Sequence, residues 1–126
     1  MLVSMLKSKL HAAVVTECLP DYEGSIAIDS TILHLARMVR YEKVLVANLA
    51  NGNRFETYTI PGKPGSGSVS LNGAAALLGS PGDRLIILSF ALIQSKRIKQ
   101  HKPTVVVLDK KNRPVIKKSA KSRASA

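Results

Sequence analysis

Apolar and polar positions along this chain change over on a short period, which predicts strands more often than helices. Leu10 to Thr16 is β-branched and apolar and predicts a strand. Pro20 and Gly24 bracket a turn or loop. Ser30 to Val39 fits a short helix, with Asp29 or Ser30 as its N-cap and apolar residues at 32, 35, 36 and 39. Lys43 to Ala50 and Arg54 to Ile60 are β-patterned runs separated by Asn51-Gly52, a strong hairpin signal if both turn positions take positive φ. Residues 61–67 form a Pro- and Gly-rich loop, and Ser68 to Leu71 a short strand. Asn72 to Leu78 predicts a helix capped by Asn72, and residues 80–83 a turn. Arg84 to Ile93 is a long apolar strand, buried on both faces if the run is taken literally. Thr104 to Leu108 is another strand, and Asp109 to Arg113 turns toward a short apolar Val115-Ile116. Six or seven short strands and two short helices favour a small β-barrel with helical inserts over a βαβ sheet, because no long helices separate the strands.

Composition narrows the function classes. At 126 residues and 45% apolar, the chain can build one small core, with a tail. Aromatics are 4% and Trp is absent, which opposes a stacking platform for nucleic acid. Cys18 is the single cysteine, so a disulfide framework and a Cys-rich zinc site are both excluded. No apolar run reaches the roughly 18 residues of a membrane span. Residues 1–11 mix apolar positions with Lys7 and Lys9 and do not resemble a signal peptide, so the expected compartment is the cytoplasm, with no membrane partner.

The formal net charge of +11 is unevenly placed. Residues 1–93 net +1, whereas residues 94–126 net +10. Residues 117–126 contain nothing apolar larger than Ala and are expected to be a disordered basic tail. Such a tail can make weak, salt-sensitive contacts with nucleic acid, although a solvated segment is the plainer reading.

Local chemistry is sparse. His11, His34 and His101 show no metal-ligand spacing, and His34 and His101 read as surface residues. No Gly-x-Ser-x-Gly elbow occurs. Three clusters are unusual: Lys9-Leu10-His11, whose outer members share a strand face, Tyr22-Glu23-Gly24-Ser25, and Arg54-Phe55-Glu56-Thr57-Tyr58. Taken singly, each is more ordinary as exposed strand or turn.

In combination these clusters are distinctive. Met5-Leu6-x-x-Lys9-Leu10-His11, Glu23-Gly24-Ser25-x-x-Ile28-Asp29, Asn51-Gly52-x-Arg54-Phe55-x-Thr57-Tyr58 and Asn72-Gly73-Ala74-Ala75-Ala76 resemble the pyruvoyl-dependent aspartate 1-decarboxylases. The resemblance runs from about Met5 to Phe90, and Pro81-Gly82-Asp83 looks like the Gly-Asp turn of double-psi barrels. It implies a mainly β fold, a small six-stranded double-psi β-barrel with short helices over residues 1–116. It further implies self-cleavage into chains 1–24 and 25–126, and a homotetramer of the processed chains with active sites between subunits.

The chemistry implied is decarboxylation of L-aspartate to β-alanine and carbon dioxide, for pantothenate biosynthesis. Loss of an α-carboxylate leaves a carbanion that needs an electron sink. The resemblance supplies one as a covalent pyruvoyl group made from Ser25, to which substrate is joined as a Schiff base, and no metal. Ser25 would attack the Gly24 carbonyl, with Thr57 as donor to the developing oxyanion. Glycine at 24 suits an unhindered carbonyl and a strained φ. Tyr58 matches the general acid, and Arg54 and Lys9 the residues that hold substrate carboxylate. His11, Tyr22 and Asn72 match pocket residues, and Gly73, Ala74 and Ala75 offer amides to cofactor or substrate. Thr57 and Tyr58 fall on opposite faces of a regular strand, so both serve one site only if the strand bulges or the site wraps it. Two other readings stay open: a homologue that is unprocessed or acts on another acidic substrate, and a small basic nucleic-acid-binding barrel.

Overall fold

The computed structural model describes residues 1–115. The expected basic tail, 117–126, and Ile116 lie outside them. The strands are β1 (Leu2–Val14), β2 (Glu17–Leu19), β3 (Ser25–Asp29), β4 (Lys43–Asn48), β5 (Arg54–Gly62), β6 (Val69–Asn72), β7 (Arg84–Gln94) and β8 (Thr104–Val107), with one α-helix, α1 (Ser30–Leu35). Single 3₁₀ helices follow β6 (Gly73–Leu78) and β7 (Ser95–Gln100). The strands join in the order β2-β6-β3-β5-β4-β7-β1-β8. β1/β8, β2/β6 and β3/β5 are parallel, and the other neighbours antiparallel. The fold is mainly β, as a small double-psi barrel requires, with eight strands rather than six. Among the described residues no helix is long and apolar enough to cross a membrane.

One core binds the sheet together. Leu10, Ile26, Ile28, Val46, Val69, Leu71, Leu85 and Ile87 are all fully buried in a single cluster drawn from β1, β3, β4, β6 and β7. Strands from both ends of the sheet order therefore face the same interior. Burial of each such side chain is worth about 1.5–3 kcal/mol.

Several expected elements shift. The strand expected at Leu10–Thr16 is the second half of a 13-residue strand. It contains two bulges, at Lys7 and at Ala12, and Ala12 has φ 68°. The bulge at Lys7 breaks the alternation of its first half. Asp29 caps α1 by accepting from the Thr31 N–H at 2.8 Å. The helix stops at Leu35 instead of Val39 because Arg37 turns left-handed (φ 58°) and the Met38 N–H reaches the Leu33 carbonyl, a Schellman-type end. Ile32, Leu33, Ala36 and Met38 are consequently buried, while Leu35 and Val39 are exposed.

The β4–β5 hairpin forms, but only Gly52 of the Asn-Gly pair has positive φ. Asn48 organises a longer loop by accepting from the Ala50 N–H and donating to Asp83. The residues after Asn72 are 3₁₀ rather than α-helical, and the Asn72 side chain does not cap them. β7 is not buried on both faces: Leu85 and Ile87 point into the core, but Phe90 and Leu92 are exposed where β7 pairs with the start of β1. His101 is half-buried, with Nε2 2.6 Å from the Leu6 carbonyl oxygen, not a surface residue; His34 is exposed.

Asp29 also holds the 61–67 loop. Its carboxylate accepts from the N–H groups of Gly65 and Gly67 at 3.0 and 2.8 Å. Burial works against the charged carboxyl, but these backbone donors and Thr31 outweigh it and hold its pKa below the ordinary value.

Candidate active site

The site starts where β3 starts. Ser25 is 2% exposed and lies directly opposite Asn72 in the antiparallel β3–β6 pair. The Asn72 Nδ2 donates to Ser25 Oγ at 3.1 Å, and Ser25 Oγ donates to the Glu23 carbonyl at 3.1 Å. Ser70 Oγ donates to the Asn72 Oδ1 at 2.8 Å. The nucleophile candidate is thus held in a buried polar row, on the face of β6 opposite the core residues Val69 and Leu71.

Gly24 sits beside open space. A Cβ added there would meet nothing within 4 Å, and its φ is not in the left-handed region, so the strain expected at Gly24 is not found. The constraint lies on Gly73 instead. Gly73 has φ +67°, and a Cβ on it would stand 2.6 Å from the Gly24 Cα and 3.0 Å from the Tyr22 carbonyl oxygen.

The open space is a pocket of about 320 Å³ lined by Gly24, Glu56, Thr57, Tyr58, Ala74 and Ala75, with Phe55 and Leu78 completing it. Parallel pairing explains this grouping. Ile26 is level with Thr59 in the β3–β5 ladder. Gly24 and Thr57 each stand two residues before that first pair, and both line the pocket. Thr57 and Tyr58 line one pocket without any bulge, because β4 pairs regularly with one edge of β5 while β3 joins the other edge only from Thr59 onward. The pocket occupies that free edge. It is therefore the wrapped strand, not a bulge, that gives both side chains access.

Tyr58 is half-buried, and its ring lies 6.0 Å from that of Tyr41 at 58°. The segment carrying Tyr41 is pinned by Glu42, which forms an ion pair with Lys7 at 2.8 Å and accepts from the Val39 N–H. Burial opposes the charged form of Glu42, but Lys7 and Val39 outweigh it and lower its pKa.

Seven expected site residues do not line this pocket: Ser25, Asn72 and Gly73 sit beside Gly24 behind its wall, and Lys9, His11, Arg54 and Tyr22 lie elsewhere. Lys9 and His11 pair with Leu88 and Ile86 of β7 and with Val105 and Val107 of β8, and β4 and β7 stand between β1 and β5 in the sheet. They are half-buried while Leu10 between them is fully buried, as the shared-face reading requires. Arg54 opens β5 opposite Ala47 and is exposed. Tyr22 is 64% exposed, and its backbone carbonyl is what abuts Gly73. Sequence reasoning did not single out Ser70 or the Glu23 carbonyl. The i, i+2 spacing of Ser70 and Asn72 on a short strand was the available signal for the first. Nothing local marked the second.

The family model for aspartate decarboxylase matches residues 1–115. A protein of Chlorobium limicola named aspartate 1-decarboxylase is 51% identical over 114 residues, 90% of this chain and 89% of its own. Its namesake in Chloroherpeton thalassium is 54% identical over 114 residues, 90% of this chain and 84% of its own. That of Thermoanaerobacter pseudethanolicus is 47% identical over 111 residues, 88% of this chain and 95% of its own.

Proposed function

Because the chain belongs to the aspartate decarboxylase family, we propose that it converts L-aspartate to β-alanine and carbon dioxide, using a pyruvoyl group that it makes from its own Ser25. The observation that carries this reading is the juxtaposition of a buried, doubly hydrogen-bonded Ser25 hydroxyl with a Gly24 that faces an open pocket.

Processing is written on residues of this chain. Ser25 Oγ attacks the Gly24 carbonyl carbon, and the Gly24–Ser25 C–N bond breaks as the Ser25 nitrogen takes up a proton. Thr57, on the same pocket as Gly24, stabilises the oxyanion. Loss of the Ser25 α-proton with cleavage of the Cβ–Oγ bond frees the Gly24 carboxylate. Water then replaces the nitrogen of the resulting dehydroalanine, releasing ammonia and leaving chains 1–24 and 25–126. The surroundings fit such a group at residue 25. Gly24 leaves the carbonyl unhindered, and Asn72 loses its Ser25 Oγ partner on elimination, so its N–H becomes available to ligand.

When formed, the pyruvoyl group is the electron sink for decarboxylation. Tyr58 Oη delivers a proton to the substrate α-carbon after carbon dioxide leaves. Ala74 and Ala75 offer backbone amides at the pocket wall, with that of Gly73 just before them. Arg54 and Lys9 hold the substrate carboxylate, Arg as a fork and Lys as a point charge. Lys9 and His11 lie away from the pocket within one chain, which supports supply from a neighbouring subunit of a homotetramer. Exposed Leu2, Leu77, Phe90 and Leu92 offer apolar surface for such contacts. We place the reaction in the cytoplasm and in pantothenate synthesis.

Intact mass under reducing, denaturing conditions tests the reading. Two fragments split between Gly24 and Ser25, the second with a blocked N-terminus, are expected, together with β-alanine formation from aspartate. Ser25→Ala is expected to stay whole and inactive. A wild-type chain that remains whole and inactive points to an unprocessed homologue, and cleavage of Ser25→Ala at residue 24 overturns the acyl-shift route.

A further inference from the structure

We infer that Ser70 is a positioning residue for self-cleavage, acting by fixing which end of the Asn72 carboxamide meets Ser25. The inference rests on the processing reading above. A carboxamide has two ends of nearly equal size and opposite hydrogen-bonding character, so shape alone does not choose between them. The choice must come from a neighbour. Ser70 and Asn72 are alternate residues of β6 and share a face, with Ser25 directly across from Asn72 and Ala27 across from Ser70. Ala27 has no polar side-chain atom. Among the described residues, the Ser70 hydroxyl finds its acceptor in Asn72 Oδ1 at 2.8 Å.

Ser70 and Asn72 are no more than 5% exposed, so water does not readily substitute. A reversed amide would leave the Ser70 proton without its acceptor, an unfavourable state for a buried hydroxyl. With Oδ1 committed to Ser70, Nδ2 is the end that reaches Ser25 Oγ at 3.1 Å. A donor in that position obliges Ser25 to turn its own proton elsewhere, and it turns to the Glu23 carbonyl. The three contacts define one rotamer of the attacking hydroxyl beside the bond to be cut. If Ser70 is lost, Asn72 can turn over, accept the Ser25 proton and release the Glu23 contact.

The test follows cleavage of freshly purified precursor by intact mass, in wild type, Ser70→Thr, Ser70→Cys and Ser70→Ala. Donor strength predicts the order Ser, Thr, Cys, Ala, with Ala about tenfold slower, the loss of one orienting hydrogen bond. A packing role predicts another order, with the bulkier Thr among the slowest. In an Asn72→Ala background the further effect of Ser70→Ala is expected to vanish, because the residue through which it acts is gone. Equal slowing in both backgrounds, or wild-type rates in Ser70→Ala, overturns the inference while leaving the processing reading intact. A wild-type precursor that never cleaves removes both.

Discussion

The backbone of Gly73 lies so close to that of Gly24 that a methyl group on Gly73 would stand 2.6 Å from the Gly24 Cα. The first residue after β6 thus braces the peptide unit proposed to be cut. Its φ of +67° adds a second reason for glycine. The two positions are expected to respond differently to alanine. In a Ser25→Ala background, which keeps the chain whole, Gly73→Ala should lower unfolding free energy by about 1–3 kcal/mol, the scale of a strained backbone position. Gly24→Ala, where a Cβ meets open space, should change it by less than about 1 kcal/mol. Urea unfolding measures both, and equal stability of the two variants would contradict the bracing contact.

Tyr58 and Thr57 line the same pocket but are assigned to different steps. Tyr58→Phe keeps the ring and its contact with Tyr41 while removing the transferable proton. Normal cleavage is expected, with turnover down by roughly 10²–10⁴. Thr57→Val should instead slow cleavage, because the oxyanion loses its donor. Cleaved fraction and β-alanine production, measured on the same preparations, separate the roles. A normally cleaved, fully active Tyr58→Phe would assign proton delivery to another group.

Asp29 links stability to acid pH. Its folded pKa lies below the ordinary 3.8, so the unfolded chain binds its proton first as pH falls. The stability it contributes is therefore complete above that ordinary value and is lost as pH drops through the lower, folded value. Asp29→Asn cannot accept with both side-chain atoms from Thr31, Gly65 and Gly67. It should be less stable at pH 7 by about 1.5–3 kcal/mol, the range for hydrogen bonds to a charged group. The difference from wild type should narrow below the ordinary value. Denaturant titrations at pH 7, 5 and 3 test this, and a gap that stays constant to pH 3 would rule out the linkage.

Deleting residues 117–126 should leave cleavage and turnover nearly unchanged, because the segment lacks apolar residues able to pack and lies beyond the family match, which ends at residue 115. Retention on nucleic acid, measured at low and high salt, should fall most at low salt. Loss of activity on truncation would give the tail a structural role.

The local motifs of this chain determined a good deal on their own. Gly24, Thr57-Tyr58 and Ala74-Ala75 marked out residues that line the pocket, with Ser25 and Asn72 beside it, and short β-patterned runs located β4, β5 and β6, while β3 went unpredicted. Such features are written in contiguous residues, where turn chemistry and side-chain period act directly. Tertiary pairing decided the rest. Antiparallel register set Asn72 against Ser25, and parallel pairing of Ile26 with Thr59 brought Gly24 and Thr57 to one pocket, across sequence distances that no local period encodes. The need for glycine moved from Gly24 to Gly73, because close backbone approach depends on which strands meet. The bulge at Lys7 broke the alternation that would have revealed the first half of β1. The apolar residues late in β7 read as core, yet Phe90 and Leu92 face outward, since apolarity states only that a surface favours burial and not which surface covers it.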